Sequence, residues 1–166
     1  MSREYVLPLK KLTMTSSSPT TYLFINNGSG TGFPTLEVLR MYLSQSGTTT
    51  SAQQDVQIYT QVTTFPTLTS VSLSPLSSLD PASKIVGSTT GAAGTAGVNA
   101  SGEGTGAKTV IWADNFNNLN GWLWVATPAE TYKLANGQAN GFGVGVVTTP
   151  SSVASWSGGI VYRELG

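Results

Sequence analysis

A chain of 166 residues with eight basic and eight acidic side chains, only 10% charged residues and no histidine or cysteine leaves little reactive chemistry to choose from. That composition excludes disulfides, thiolate chemistry, most zinc and iron sites and the commonest general base. With no basic field there is no long-range hold on nucleic acid or on an anionic membrane, and a surface so poor in charge favours self-association.

The length suits one domain that buries roughly two thirds of its unfolded surface. No apolar run approaches a bilayer span, and Met1-Ser2-Arg3-Glu4-Tyr5 followed by Lys10-Lys11 is not a signal peptide, so synthesis in a cytoplasm without an export address is expected. Tyr5-Val6-Leu7-Pro8-Leu9 reads as extended. Pro8 cannot donate to a ladder, which places the segment on an edge or against another molecule. Lys10-Lys11 is either a solvated edge that discourages stray pairing or a contact to an acidic partner surface. Thr20 to Ile25 is a β-branched and aromatic strand closed by Asn26-Asn27-Gly28, and Gly28 to Gly32 lacks the spacing and lysine of a phosphate-binding loop.

Thr35 to Leu43 alternates better than it repeats at helical spacing, so a strand is expected, with Glu37 and Arg40 on opposite faces. Asp55 to Thr63 alternates strictly. Val56, Ile58 and Val62 point inward and Gln57, Tyr59, Gln61 and Thr63 outward, the pattern of a half-exposed strand. Phe65 to Pro81, with Pro66, Pro75 and Pro81, predicts a meandering segment with at most short strands, and Lys84 to Gly87 a further short one. Residues 87–106 are almost all Gly, Ala, Ser and Thr, the composition of a long flexible loop that needs neighbours to pin it.

Phe116-Asn117-Asn118-Leu119-Asn120-Gly121-Trp122-Leu123-Trp124-Val125 holds two of the four tryptophans. It reads as a hairpin turn at Asn117 to Gly121 leading into a strand apolar on both faces and so buried in the middle of the structure. After Thr131 to Leu134 and a turn at Asn136-Gly137, the stretch Asn140 to Val147 alternates Phe142, Val144 and Val146 with glycines. A whole face of glycine admits a large ring, for which Trp122, Trp124 and Trp156 are the candidates. Trp156 to Leu165 is the last strand. About ten short strands and almost no helix predict an all-β, antiparallel β-sandwich or jelly roll. Phe116, Leu119, Trp122, Trp124, Phe142 and Trp156 are the expected residues of core or oligomer packing.

Catalysis finds weak support. Asp114, Glu103 and Glu130 could be paired as glycosidase carboxylates, but any eight carboxylates allow such pairs, and surface or turn roles account for each. No histidine activates the many hydroxyls, and no motif supports a Ser-Lys dyad with Lys84, Lys108 or Lys133. Asp114, Asn115 and Asn117 lack the acidic density of a calcium loop. No cofactor or metal is expected, and no enzyme. Exposed tryptophans would form a platform for sugar rings, against the commoner use of tryptophan in cores and contacts.

The motifs Glu103-Gly104-Thr105-Gly106, Asp114 to Trp124, Thr127-Pro128-Ala129-Glu130 and Ile160 to Gly166 together resemble small virion structural proteins of tailed bacteriophages, encoded beside the major capsid protein. The resemblance covers roughly the last 65 residues. It implies a capsid decoration (cement) protein on the outer surface of the head, with the major capsid protein and like copies, as a homodimer or homotrimer, for partners and neither nucleic acid nor membrane. On that basis residues 1–12 are expected as an extended arm contacting the shell through Tyr5, Val6, Leu7, Leu9, Lys10 and Lys11, ahead of a single β-sandwich domain, 13–166, whose loop 87–106 is a second arm. A receptor- or glycan-binding module of a fibre, and a head-tail connector or tail-tube component, are the alternatives.

Overall fold

The computed structural model describes residues 2–13, 20–28, 32–47, 50–136, 140–146 and 155–166. Among them there is no helix, and the strands form two sheets packed face to face, an all-β sandwich. The front sheet contains β1 (Ser2–Leu12), β3 (Thr35–Ser46), β6 (Ser74–Pro75), β10 (Trp122–Val125), β11 (Tyr132–Leu134) and β13 (Ser155–Leu165) in the order β10-β3-β13-β1-β6, with β11 also paired to β3. The back sheet contains β2 (Thr20–Asn26), β4 (Gln53–Val62), β5 (Thr67–Ser70), β7 (Val86–Gly87), β8 (Thr95–Gly102), β9 (Lys108–Asn117) and β12 (Asn140–Val146) in the order β5-β8-β2-β12-β4-β9, with β7 beside β8. All pairs are antiparallel except β7 with β8.

Between the sheets, Trp156 packs against Tyr22 at 5.1 Å and edge-on to Phe116 at 6.0 Å between ring centroids. Leu7, Leu23, Ile25, Met41, Val144 and Ile160 fill the same core. A smaller cluster of Phe24, Tyr59, Leu68 and Ala100 lies on the outer side of the back sheet. It forms because the glycines of β12 leave room there: a Cβ at Gly141 would sit 1.9 Å from Phe24 Cζ, and one at Gly143 2.6 Å from the Tyr59 ring. The glycine face does admit large rings, but they are Phe24 and Tyr59 rather than tryptophans.

Several expectations are corrected. Residues 1–12 do not project as an arm: Ser2–Leu12 pairs along its length with β13, and Tyr5, Leu7 and Leu9 are buried in the core. Alternation alone produces this, since every second residue of the segment is large and apolar. Of the six residues expected to contact the shell, only Lys10 and Lys11 are exposed, with Val6 half-buried. β6 pairs only with Tyr5 and Val6, so Pro8, with no N–H to offer, sits beyond its reach. The 87–106 stretch is not one loop, because Thr95–Gly102 is the strand β8 between β2 and β5. Small residues are required where other backbone presses on it: a Cβ at Gly97 would meet the Ser88 carbonyl at 2.7 Å. β4 is not half-exposed either. Tyr59 and Gln61 point outward yet are buried, and Gln61 Nε2 donates to the carbonyls of Thr64, Glu103 and Gly106, so residues 103–106 fold over it.

The register of β3 against β13 shifts at Leu39. That bulge resets the alternation, so Glu37 and Arg40 both face outward instead of lying on opposite faces. The Gly28 to Gly32 loop and the Asn136-Gly137 turn extend outside the described residues at 29–31 and 137–139, as does Val147 at the end of the glycine stretch.

Candidate binding cleft

β9 and β10 are not two arms of a hairpin. β9 is the edge strand of the back sheet, paired to β4, and β10 the edge strand of the front sheet, paired to β3. The turn between them carries the chain across the sandwich. Asn118 secures it: its amide N–H and side-chain Oδ1 exchange hydrogen bonds with the backbone of Ala52, at 3.0 and 2.9 Å, and Nδ2 donates to the Thr50 carbonyl. Gly121 completes the crossing at φ 72°, where other residues are strained.

Both edges lie on the same side of the sandwich, and a cleft of about 270 Å³ opens between them, lined by Ile58, Ile111, Trp112, Trp124, Glu130, Tyr132 and Phe142. A second bulge shapes the back wall. Ile111 is the extra residue where the β4 register passes from Ile58 opposite Trp112 to Tyr59 opposite Val110, and it turns with Trp112 into the cleft. Trp112 leans on Trp122 at 6.1 Å but stays 38% exposed. Trp122 is buried behind it, its Nε1 donating to Asp114 Oδ2 at 3.4 Å. On the front wall, Trp124 shares the inward face of β10 with Trp122 and is half-buried.

The bulge at Leu39 is also where β10 gives way to β11 along β3, and the Leu39 carbonyl accepts the Ala126 amide at 2.9 Å. The turn that bridges this gap carries Glu130. Its amide donates to the Thr127 carbonyl and its Oε2 accepts the Thr127 hydroxyl at 2.8 Å, leaving Oε1 without a protein partner among the described residues. Tyr132 and Phe142 face each other at 5.0 Å and form the floor. Burial pushes the Tyr132 hydroxyl up from the usual phenol range, opposed by its hydrogen bond with Thr60. The lining therefore offers two partly open indoles, two further rings, one carboxylate and one phenol, with no cation.

Of the residues expected to pack the core or an oligomer contact, Phe116, Trp122, Phe142 and Trp156 are buried, Trp124 lines the cleft, and Leu119 is half exposed on the crossing turn. The strand Trp122–Val125 is an edge and not a buried centre: Leu123 and Val125 are 64% and 58% exposed. Asp114, Glu103 and Glu130 do not line a common cleft. Glu103 lies on the outer side of the back sheet, where it accepts the Thr21 amide at 2.7 Å and the Thr21 hydroxyl and pairs with Lys108. Because the single Thr21 hydroxyl hydrogen goes to Glu103, the Tyr59 hydroxyl donates to Thr21 Oγ1. Asp114 points to the opposite face of β9 from Asn115 and Asn117, so those three do not converge, and no group of three or more His, Cys, Asp or Glu among the described residues could hold a metal ion.

The cleft itself was missed by sequence reasoning. It depends on the two bulges and on the sheet-to-sheet crossing; the one available signal was a third tryptophan, Trp112, near the Trp122-x-Trp124 pair. Compared with models of protein families, with curated proteins and with solved structures, the chain matches none.

Proposed function

We propose that this chain is a non-catalytic structural protein of the kind its sequence resembles: a decoration protein that docks on the outside of a phage head and associates with like copies. The observation that supports this is the outer face of the front sheet. Register sets Leu123, Tyr42, Gly159 and Pro8 in one row and Val125, Arg40, Val161 and Val6 in the next. The Tyr42 ring lies over Gly159, whose added Cβ would meet it at 3.0 Å, so the row is nearly flat. Arg40 interrupts this otherwise apolar band, and an ion-pair row of Lys133, Glu37, Arg163 and Glu4 borders it on one side.

Such a face docks by covering the exposed Leu123 and Val125, at up to about 1.5–3 kcal/mol for each side chain. Many copies on one shell multiply a modest single contact. The residues once expected as a shell-binding arm are in the sheet, so docking falls to the sheet's face.

The test is binding of the purified chain to phage heads that lack it, read as copies per head. Saturable occupancy is expected, with the Leu123→Glu, Val125→Glu double variant weakened about 100-fold, since an unpaired charge in a closed apolar contact costs about 3 kcal/mol. Heads that take up no wild-type chain would overturn the function. Uptake of the double variant at wild-type levels would overturn the docking face.

A further inference from the structure

Two tryptophans at an open edge need explaining. Leaving an indole one third exposed forgoes on the order of 1–2 kcal/mol of burial; Trp112 is 38% exposed and Trp124 stands half-buried across the cleft from it, while Trp122 and Trp156 are covered. The chemistry of the lining narrows the ligand. Phe142 is fully buried and Tyr132 packs against it at a tilt of 31°, so the ring surfaces left for a guest belong mainly to the two indoles, on opposite walls. This is an open cleft with one indole on each wall and not the closed aromatic box that surrounds an ammonium ion. At its mouth stands a carboxylate with one oxygen held by Thr127 and the other open to solvent.

We infer that the cleft between β9 and the β10–β11 edge is a carbohydrate site, which takes one pyranose ring between the two indoles with its hydroxyls donating to Glu130. A pyranose has an apolar C–H face and a rim of hydroxyl donors, the complement of indole walls with a free carboxylate oxygen. The cleft of about 270 Å³ holds a single ring, and its open side lets the rest of a glycan run outward along the edge. The apolar band proposed for docking is on the outer face of the front sheet, so a docked copy keeps the cleft free. The carbohydrate site stands independently of the shell-binding function.

The experiment is an array of neutral and N-acetylated oligosaccharides, followed by calorimetry and tryptophan fluorescence with the methyl glycosides of glucose, galactose, mannose and N-acetylglucosamine. Binding of at least one sugar class is expected, with a change in the emission of the two accessible indoles. Trp124→Ala and Glu130→Gln should each weaken it about tenfold or more. Glu130 is exposed, so its variant folds normally and keeps the test valid if the tryptophan variant does not; Trp124→Phe, which preserves a ring, should lose less than Trp124→Ala. Absence of binding to every sugar, or binding undiminished in Glu130→Gln and Trp124→Phe alike, would overturn the site. So would a response to N-acetylarginine amide or tetramethylammonium in place of sugars, which would mark the cleft as a cation site.

Discussion

The glycine face of β12 provides a graded test of the packing. Replacing Gly141 by alanine puts a Cβ 1.9 Å from Phe24 Cζ and 2.6 and 2.8 Å from the two flanking ring carbons. Phe24 is fully buried and hemmed by Phe65 at 5.9 Å, so the ring has nowhere to swing. Overpacking of a closed cluster costs about 1–3 kcal/mol, and an overlap this deep belongs at the upper end, about 3 kcal/mol. For a chain of this length that lowers the melting temperature by about 6–12 °C. At Gly143 the nearest atoms are Tyr59 Cζ and OH, both at 2.6 Å, and about 2 kcal/mol is expected. At Gly145 the neighbours stand off at 3.3 and 3.4 Å. There the gain from a stiffer unfolded chain, about 0.4–1 kcal/mol, offsets the crowding. Urea and thermal unfolding of the three single variants should rank Gly141→Ala below Gly143→Ala below Gly145→Ala. Phe24→Leu should partly rescue Gly141→Ala, with a coupling energy above about 1 kcal/mol. Equal stability of the Gly141→Ala and Gly145→Ala variants would refute the claim that rings rest on this face.

Two further perturbations probe the outer side of the back sheet and the core. Glu103→Ala removes the acceptor of the Thr21 amide and hydroxyl and of Lys108, and should cost about 2 kcal/mol in urea unfolding; an unchanged midpoint would mean the 103–106 segment is not anchored there. Burial pushes the hydroxyls of Tyr22, Tyr59 and Tyr162 far above the usual phenol range. The native state keeps these protons while the unfolded chain releases them near pH 10, so their contribution is intact below about pH 10 and falls above it, by up to about 1.4 kcal/mol per pH unit for each tyrosine. Urea midpoints should drop steeply above about pH 10, with tyrosinate absorbance from these residues appearing only on unfolding; a flat profile would contradict their burial.

Much of the sandwich was legible because strands of period two announce themselves: Tyr5, Leu7 and Leu9, or Phe142, Val144 and Val146, alternate in the sequence as they do in the sheets. What was illegible came from single residues that break the period or change the partner. The bulges at Leu39 and Ile111 leave no mark in composition, yet they turn Arg40 outward and Ile111 inward. Asn117 to Gly121 has the residues of a tight hairpin, and only the docking of Asn118 on Ala52 makes it a crossing between sheets. β8 was hidden for the opposite reason: its Gly, Ala and Ser residues meet the needs of a strand pressed by neighbouring backbone, and on paper they match a linker. The cleft depends on all of these features, since its walls come from edge strands of different sheets.

One feature of the topology bears on how the chain matures. β13 lies between β3 and β1, pairing with both over nearly its whole length, while β1 and β3 have no ladder with each other. During synthesis the front sheet lacks its middle until residues 155–165 leave the ribosome, and contacts that distant in sequence form slowly. A prematurely terminated product would thus present two unmated strands in place of a flat docking face, and would be excluded from any ordered array by geometry alone.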